Sequence, residues 1–124
     1  MSKQFTIQQI SQITGLTAHT LRYYEKIGLL DGVARNESGY RKYRESDLLW
    51  IDFLIRLRET RMPISEMKQF SDLRSQGKAT IKERRTLLER HQNKVTKQIA
   101  DLEENLLKIE HKIAHYKALE EEDV

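Results

Sequence analysis

The stretch LRYYEKIGLL, residues 21–30, reads as the end of a helix running into a turn at Gly28. It places Arg22, Tyr23 and Lys26 close together. At about 100° per residue, His19, Arg22, Tyr23 and Lys26 fall within one narrow sector, while Leu21 and Tyr24 point the other way. One face of this helix therefore packs inward and the other offers basic, hydrogen-bonding groups outward.

The residues upstream supply what the inner face packs against. Thr6 is a good N-cap, and Gln9 stands three residues on, which makes a capping box. Phe5 and Ile10 occupy the positions of a hydrophobic staple, and Ile7, Ile10 and Ile13 predict a buried stripe. Gly15 ends this helix, and Thr17 can cap the next, with Leu16 and Leu21 as a second staple. Helix, tight turn and helix thus fit within residues 6–27, the shape of a helix-turn-helix.

Downstream, residues 33–43, VARNESGYRKY, predict two short strands around the turn Asn36–Gly39. This hairpin carries Arg35, Tyr40, Arg41, Lys42 and Tyr43 against Glu37 alone, so it is a basic, tyrosine-rich wing. Eight of the ten residues from Leu48 to Leu57 are apolar, which predicts a buried central helix with Trp50 and Phe53 supplying bulk. Pro63 opens the next helix, and Ile64, Met67, Phe70 and Leu73 give it a stripe. The predicted elements are helices over about 46–60 and 63–76, with the domain boundary at 78/79.

The last segment has a different period. Stepping alternately by four and three from Ile81 meets Leu88, Val95, Ile99, Leu102, Leu106, Ile109, Ile113 and Tyr116, with polar residues only at Arg85 and Gln92. A spacing averaging 3.5 residues is the coiled-coil period. Such a helix cannot bury its seam alone, and the simplest partner is the same helix of a second chain. His111 and His115 have the i, i+4 spacing that can hold a metal ion, but they lie off the seam without further ligands and read as a solvated pair; no metal or cofactor is expected.

Composition bounds the function. The chain has 124 residues, 33% charged and 38% hydrophobic, too few apolar groups for a large core. Residues 1–78 hold 13 basic and 9 acidic residues, a net of +4, and residues 79–124 hold 9 and 10, a net of −1. The basic half is the candidate for polyanion contact. There is no cysteine, which excludes disulfides, thiolate sensing and cysteine-bound zinc. No apolar run approaches the length of a membrane span, and the first residues lack a signal peptide's apolar stretch, so a cytoplasmic location is the expectation. No nucleophile–base pair, paired-carboxylate or phosphate-loop pattern points to an enzyme.

The outward face of the second helix suits the major groove, and the wing can reach alongside it. Arg22, Arg35, Arg41 and the tyrosines are read as positional contacts, mostly to phosphate. Thr17, His19 and Thr20, near the helix N-terminus, are the candidates for base edges.

TIQQISQITGLTAHTLRYYEKIGLL, followed by RNESGYRKYRESDL, resembles the MerR family of bacterial transcription regulators over about residues 5–75. The LRYYE stretch, the wing pattern R-x-x-x-G-Y-R-x-Y and the following D-L carry the resemblance. It implies a mainly α, winged helix-turn-helix domain over 1–78 and a long coiled-coil dimerisation helix over 79–124, paired antiparallel. It implies a homodimer on a pseudo-palindromic promoter site, distorting the DNA spacer so that RNA polymerase engages both promoter elements. It also implies backbone contacts from Arg22, Tyr23 and Tyr24 and from Arg35, Tyr40, Arg41 and Tyr43. The helical wheel turns the Tyr24 ring inward, with its hydroxyl able to emerge.

Departures from the family narrow the signal. Cysteine-based metal sites and iron–sulfur sensing are excluded, and the sequence given ends at ALEEEDV, with no room for a drug-binding domain. The stretch LLWIDFLIRLRETRMPISEM is similar to an aldehyde-responsive branch that uses a cysteine in the central helix, but has Arg56 and no cysteine. The effector stays unassigned. An effector-independent architectural DNA-bending protein and a coiled-coil adaptor are the alternatives.

Overall fold

Residues 3–122 are described by a computed structural model. The chain begins with β1 (Gln4–Phe5), α1 (Ile7–Thr14) and α2 (Ala18–Lys26). The Thr6 hydroxyl accepts from the Gln9 amide at 3.1 Å, and the Gln9 side chain accepts from the Thr6 amide at 2.8 Å, so the capping box closes in both directions. A cap of this kind is worth about 1 kcal/mol, a large share of what an eight-residue helix has available. Ile10 and Leu21 are fully buried.

The isoleucine stripe of α1 is only partly buried. Ile7 is half-buried, and Ile13 is 55% exposed, against the expectation from spacing. A step of three residues falls about 60° short of a full turn, so over two steps the stripe rotates out of the contact.

The wing is β2 (Ala34–Arg35) and β3 (Arg41–Arg44). Its pairing is antiparallel, Ala34 opposite Lys42 and Arg35 opposite Arg41. The hairpin has a third strand that the sequence reading lacked: β1 pairs with β3, Gln4 opposite Arg44 and Phe5 opposite Tyr43, giving the order β1-β3-β2. The wing is thereby tied back to the start of the chain.

From β3 the backbone passes directly into α3 (Glu45–Glu59), where the Arg44 amide donates to Asp47 at 2.8 Å. Trp50, Ile51, Leu54 and Leu57 are buried, whereas Leu49, about 200° around the helix from Ile51, is 73% exposed. The helix is therefore amphipathic rather than buried all round. The turn into α4 (Ile64–Ser75) holds Met62 fully buried, with Arg61 at φ +71°. Trp50, Phe53 and Phe70 form an aromatic cluster with centroids 5.8–6.1 Å apart, and the Arg74 guanidinium lies 4.2 Å from the Trp50 ring.

A short 3-10 turn (Gly77–Thr80) leads into α5 (Ile81–Glu122), 42 residues and about 63 Å at 1.5 Å per residue. The chain forms two compact units, divided at Arg85/Thr86, inside α5 rather than at its first residue. Of the seam residues, Leu88 and Val95 are half-buried, and Ile99, Leu102, Leu106, Ile109, Ile113 and Tyr116 are each at least 50% exposed. Among the described residues, no helix is long and apolar enough to cross a membrane.

Candidate nucleic-acid interface

The turn between α1 and α2 is built by side chains as much as by backbone. Gly15 takes φ +79°, and its amide donates to Ser11 O at 2.9 Å. The Ser11 hydroxyl donates to Leu16 O at 2.6 Å, and that of Thr14 to Ile10 O at 2.8 Å. Thr17 then caps α2, accepting from the Thr20 amide at 3.1 Å. Its hydroxyl also donates to that of Thr20 at 3.0 Å. Both threonines are therefore engaged with one another at the helix start.

The far end of α2 is fixed equally well. Gly28 takes φ +85°, and the Leu29 and Leu30 amides return to Tyr24 O at 2.8 and 3.2 Å. The Trp50 indole donates to Leu29 O at 2.7 Å, and the Ser71 hydroxyl to Gly28 O at 3.0 Å. So α3 and α4 grip the exit of α2, and the rotation of α2 about its own axis is set from both ends.

That rotation exposes His19, Arg22, Tyr23 and Lys26 together, leaves Thr20 half-buried, and sets Thr17 exposed at the cap. Tyr24 is 7% exposed and belongs to the core. Its ring faces inward, as the helical wheel predicts, and four other helix positions carry the outer face.

On the wing, Asn36 Oδ1 accepts from the Ser38 and Tyr40 amides, both at 3.0 Å, and the Gly39 amide closes the turn on Asn36 O at 3.0 Å. This turn displays Tyr40 at 72% exposure. Arg35 is exposed, and Arg41 and Lys42 are half-buried. Tyr43 is a correction. It is fully buried, not presented to DNA, because β3 alternates and turns Tyr43 to the core while Lys42 and Arg44 face the other way. Among the described residues its hydroxyl has no hydrogen-bond partner. Burial pushes that hydroxyl above the usual tyrosine range, and the Glu25 carboxylate adds in the same direction.

Between the wing and the helices lies a cleft of about 450 Å³, bordered by Thr6 and Gln8 at the start of α1, Arg22 of α2, and Asn36, Tyr40, Arg41 and Lys42 of the wing. It has cations and hydroxyls and no carboxylate in its lining. That suits a phosphate backbone, which takes charge from arginine and lysine and hydrogen bonds from hydroxyls and amides. The sequence reading missed Glu25 and Asn36. Glu25 binds two of the wing arginines, with Arg35 Nη2 at 3.6 Å from Oε1 and Arg41 Nε donating to Oε2. The signal was present: one acid among the outward cations of α2.

The dimerisation candidates share the apolar stripe of α5. Among the described residues no cluster of three or more histidine or acidic side chains could hold a metal ion.

A helix-turn-helix whose second helix is flanked by a hairpin wing defines the class: a winged helix-turn-helix fold. Residues 5–73 match the pattern of the MerR HTH family regulatory proteins, and residues 48–112 that of the MerR DNA-binding region. An uncharacterized HTH-type transcriptional regulator of Haemophilus influenzae is 38% identical over 112 residues, 90% of this chain and 83% of that protein. Among solved structures, HiNmlR, described as a MerR family regulator lacking the sensor domain and bound to promoter DNA, aligns with a TM-score of 0.87 at 36% identity. The alignment covers 93% of this chain and 91% of that one. A MerR family regulator of Bacillus thuringiensis aligns with a TM-score of 0.82 at 38% identity, covering 90% of this chain and 98% of that one. The chain belongs to the MerR family of helix-turn-helix transcriptional regulators.

Proposed function

We propose that this regulator is a homodimer that binds a pseudo-palindromic promoter site, one winged unit per half-site, and distorts the spacer so that RNA polymerase engages both promoter elements. The observation that carries the reading is the division of α2: Leu21 and Tyr24 are buried while His19, Arg22, Tyr23 and Lys26 are exposed together beside an exposed wing. In this reading His19 and Thr20 approach base edges from the N-terminal half of α2, with Thr17 holding the cap. Arg22, Tyr23, Lys26, Arg35 and Tyr40 contact the backbone. The promoter DNA in the HiNmlR structure supports the partner, since that chain matches this one along most of its length.

The long helix supplies the second copy. Ile99, Leu102, Leu106, Ile109, Ile113 and Tyr116 form an exposed apolar stripe at coiled-coil spacing, which a second α5 would cover. Two-fold symmetry then fixes the separation of the half-sites. The protein acts in the cytoplasm as a regulator without catalytic chemistry of its own.

A footprint of the pure protein on the DNA upstream of its own gene, with excess competitor, tests the reading. Two symmetric protected segments between the promoter elements are expected. Salt-sensitive protection without boundaries would sink the site-specific reading.

A further inference from the structure

Glu25 stands in a place where simple electrostatics gives it no use. It is the single acid of α2, on the helix that faces DNA. A carboxylate near a polyanion opposes binding, so on charge alone its removal should tighten every complex.

The wing explains why it is there. Arg35 and Arg41 stand directly opposite one another across the hairpin, a like-charge pair that works against the pairing. Only two residue pairs join β2 to β3, and so short a hairpin is marginal without an outside tether. The two Glu25 oxygens divide between the two guanidiniums, one each. The wing is thus closed across its strands and fastened to α2 by one carboxylate.

The two arginines are not held alike. Arg41 has 22% of its side chain exposed, and its Nε donates directly to Oε2. It lies on the same face of β3 as the buried Tyr43, turned in toward α2. Arg35 has 48% of its side chain exposed and meets Oε1 at 3.6 Å, with Nη1 donating to Gly39 O at 2.9 Å. An ion pair this open contributes little and exchanges readily, whereas the half-buried one is screened less.

We propose that Glu25 is a positioning residue for DNA recognition, pinning the wing to the recognition helix through Arg41 and holding Arg35 loosely enough to pass to a phosphate. Arg41, which the family resemblance assigns to the DNA backbone, is then a strut, and Arg35 is the phosphate contact. The inference rests on the DNA-binding reading above for its functional consequence, and on the structure alone for the clamp.

The test has two parts. Affinities of wild type, E25A, R41A, R35A and the double variant E25A/R41A are measured for the footprinted site and for unrelated duplex DNA across a salt series. E25A is expected to weaken specific binding about tenfold while unrelated DNA binds as well or better, because contacts within one network lose coupling of this size. The double variant should bind no worse than the weaker single variant. R35A should flatten the salt dependence by about one phosphate, and R41A should leave it unchanged. E25Q, which keeps an acceptor for Arg41, should recover most of the loss.

Specific binding by E25A that equals or exceeds wild type would overturn the proposal, as would additive losses in the double variant. The second part needs no DNA. Amide exchange at Asn36, which bonds Tyr40 O at 2.9 Å, should quicken in E25A. Unchanged exchange there would dismiss the clamp even if no promoter site were found, so its failure is separable from failure of the DNA reading.

Discussion

The two compact units treat their apolar residues in opposite ways. In the first, ending at Arg85, Ile10, Leu21, Leu29, Ile51, Leu54, Met62 and Met67 are all less than 2% exposed, so the chain seals its own core. In the second, Ile99, Leu102, Leu106, Leu107, Ile109, Ile113, Tyr116 and Leu119 stand open along one helix. A fold complete within one chain is joined to an element that a single chain leaves unfinished. The lesson is that burial, not composition, tells which part of a helical protein seals its own core and which leaves an apolar stripe uncovered.

The strongest way to break that comparison is to spoil the open stripe. Ile99→Asp combined with Leu106→Asp should weaken self-association by roughly a thousandfold or more, since two charges would have to be desolvated on each side of the seam. Sedimentation should show monomer, while the unfolding transition of the first unit stays in place. A dimer that persists would mean that the stripe is not the seam. The reverse experiment acts on the sealed core. Leu54→Ala should cost the first unit about 2–5 kcal/mol in denaturant unfolding and leave self-association intact.

Smaller effects sharpen the assignment of faces. Arg22→Ala should weaken binding to all duplexes by about tenfold and reduce the salt slope by about one phosphate. A loss confined to one sequence would move Arg22 from the backbone to a base edge. Thr6→Ala should remove about 1 kcal/mol from the stability of the first unit through the lost cap, read as a shift in the midpoint of unfolding.

The smallest effect separates two readings of one residue. Tyr43→Phe should leave DNA affinity unchanged, because the ring is core and its hydroxyl is unpartnered among the described residues. Stability should hold or rise by up to about 1 kcal/mol. The sign with pH follows from the raised pKa. The neutral phenol is favoured in the folded state, so wild type keeps its stability below the ordinary tyrosine value of 10.0 and loses it as pH rises beyond. Above that pH the phenylalanine variant should become progressively the more stable of the two in thermal melts.

Much of this was legible in the residues. Caps, glycine turns and the two periods located α1, α2, α3, α4 and α5 to within a few residues, because those signals are local. Strand β1 was not legible, since Gln4 and Phe5 carry no pattern of their own and pair only with residues about forty positions on. Tyr43 was misread for a different reason: tyrosine has an apolar body and a polar tip, and composition cannot say which end is used. For Tyr43 the two-residue alternation of β3 held the answer, as it did for Arg41. Glu25 was overlooked because a lone acid among cations reads as dilution of a charged face until its two partners are seen across the chain.

Trp50 is the chain's only tryptophan, hydrogen-bonded to the exit of α2 and lying against Phe70 and Arg74. The molecule therefore carries a built-in optical probe whose emission answers to the seating of the recognition helix. The proposed assembly through α5 would be followed by mass instead, so the two events could be watched by separate instruments in one sample.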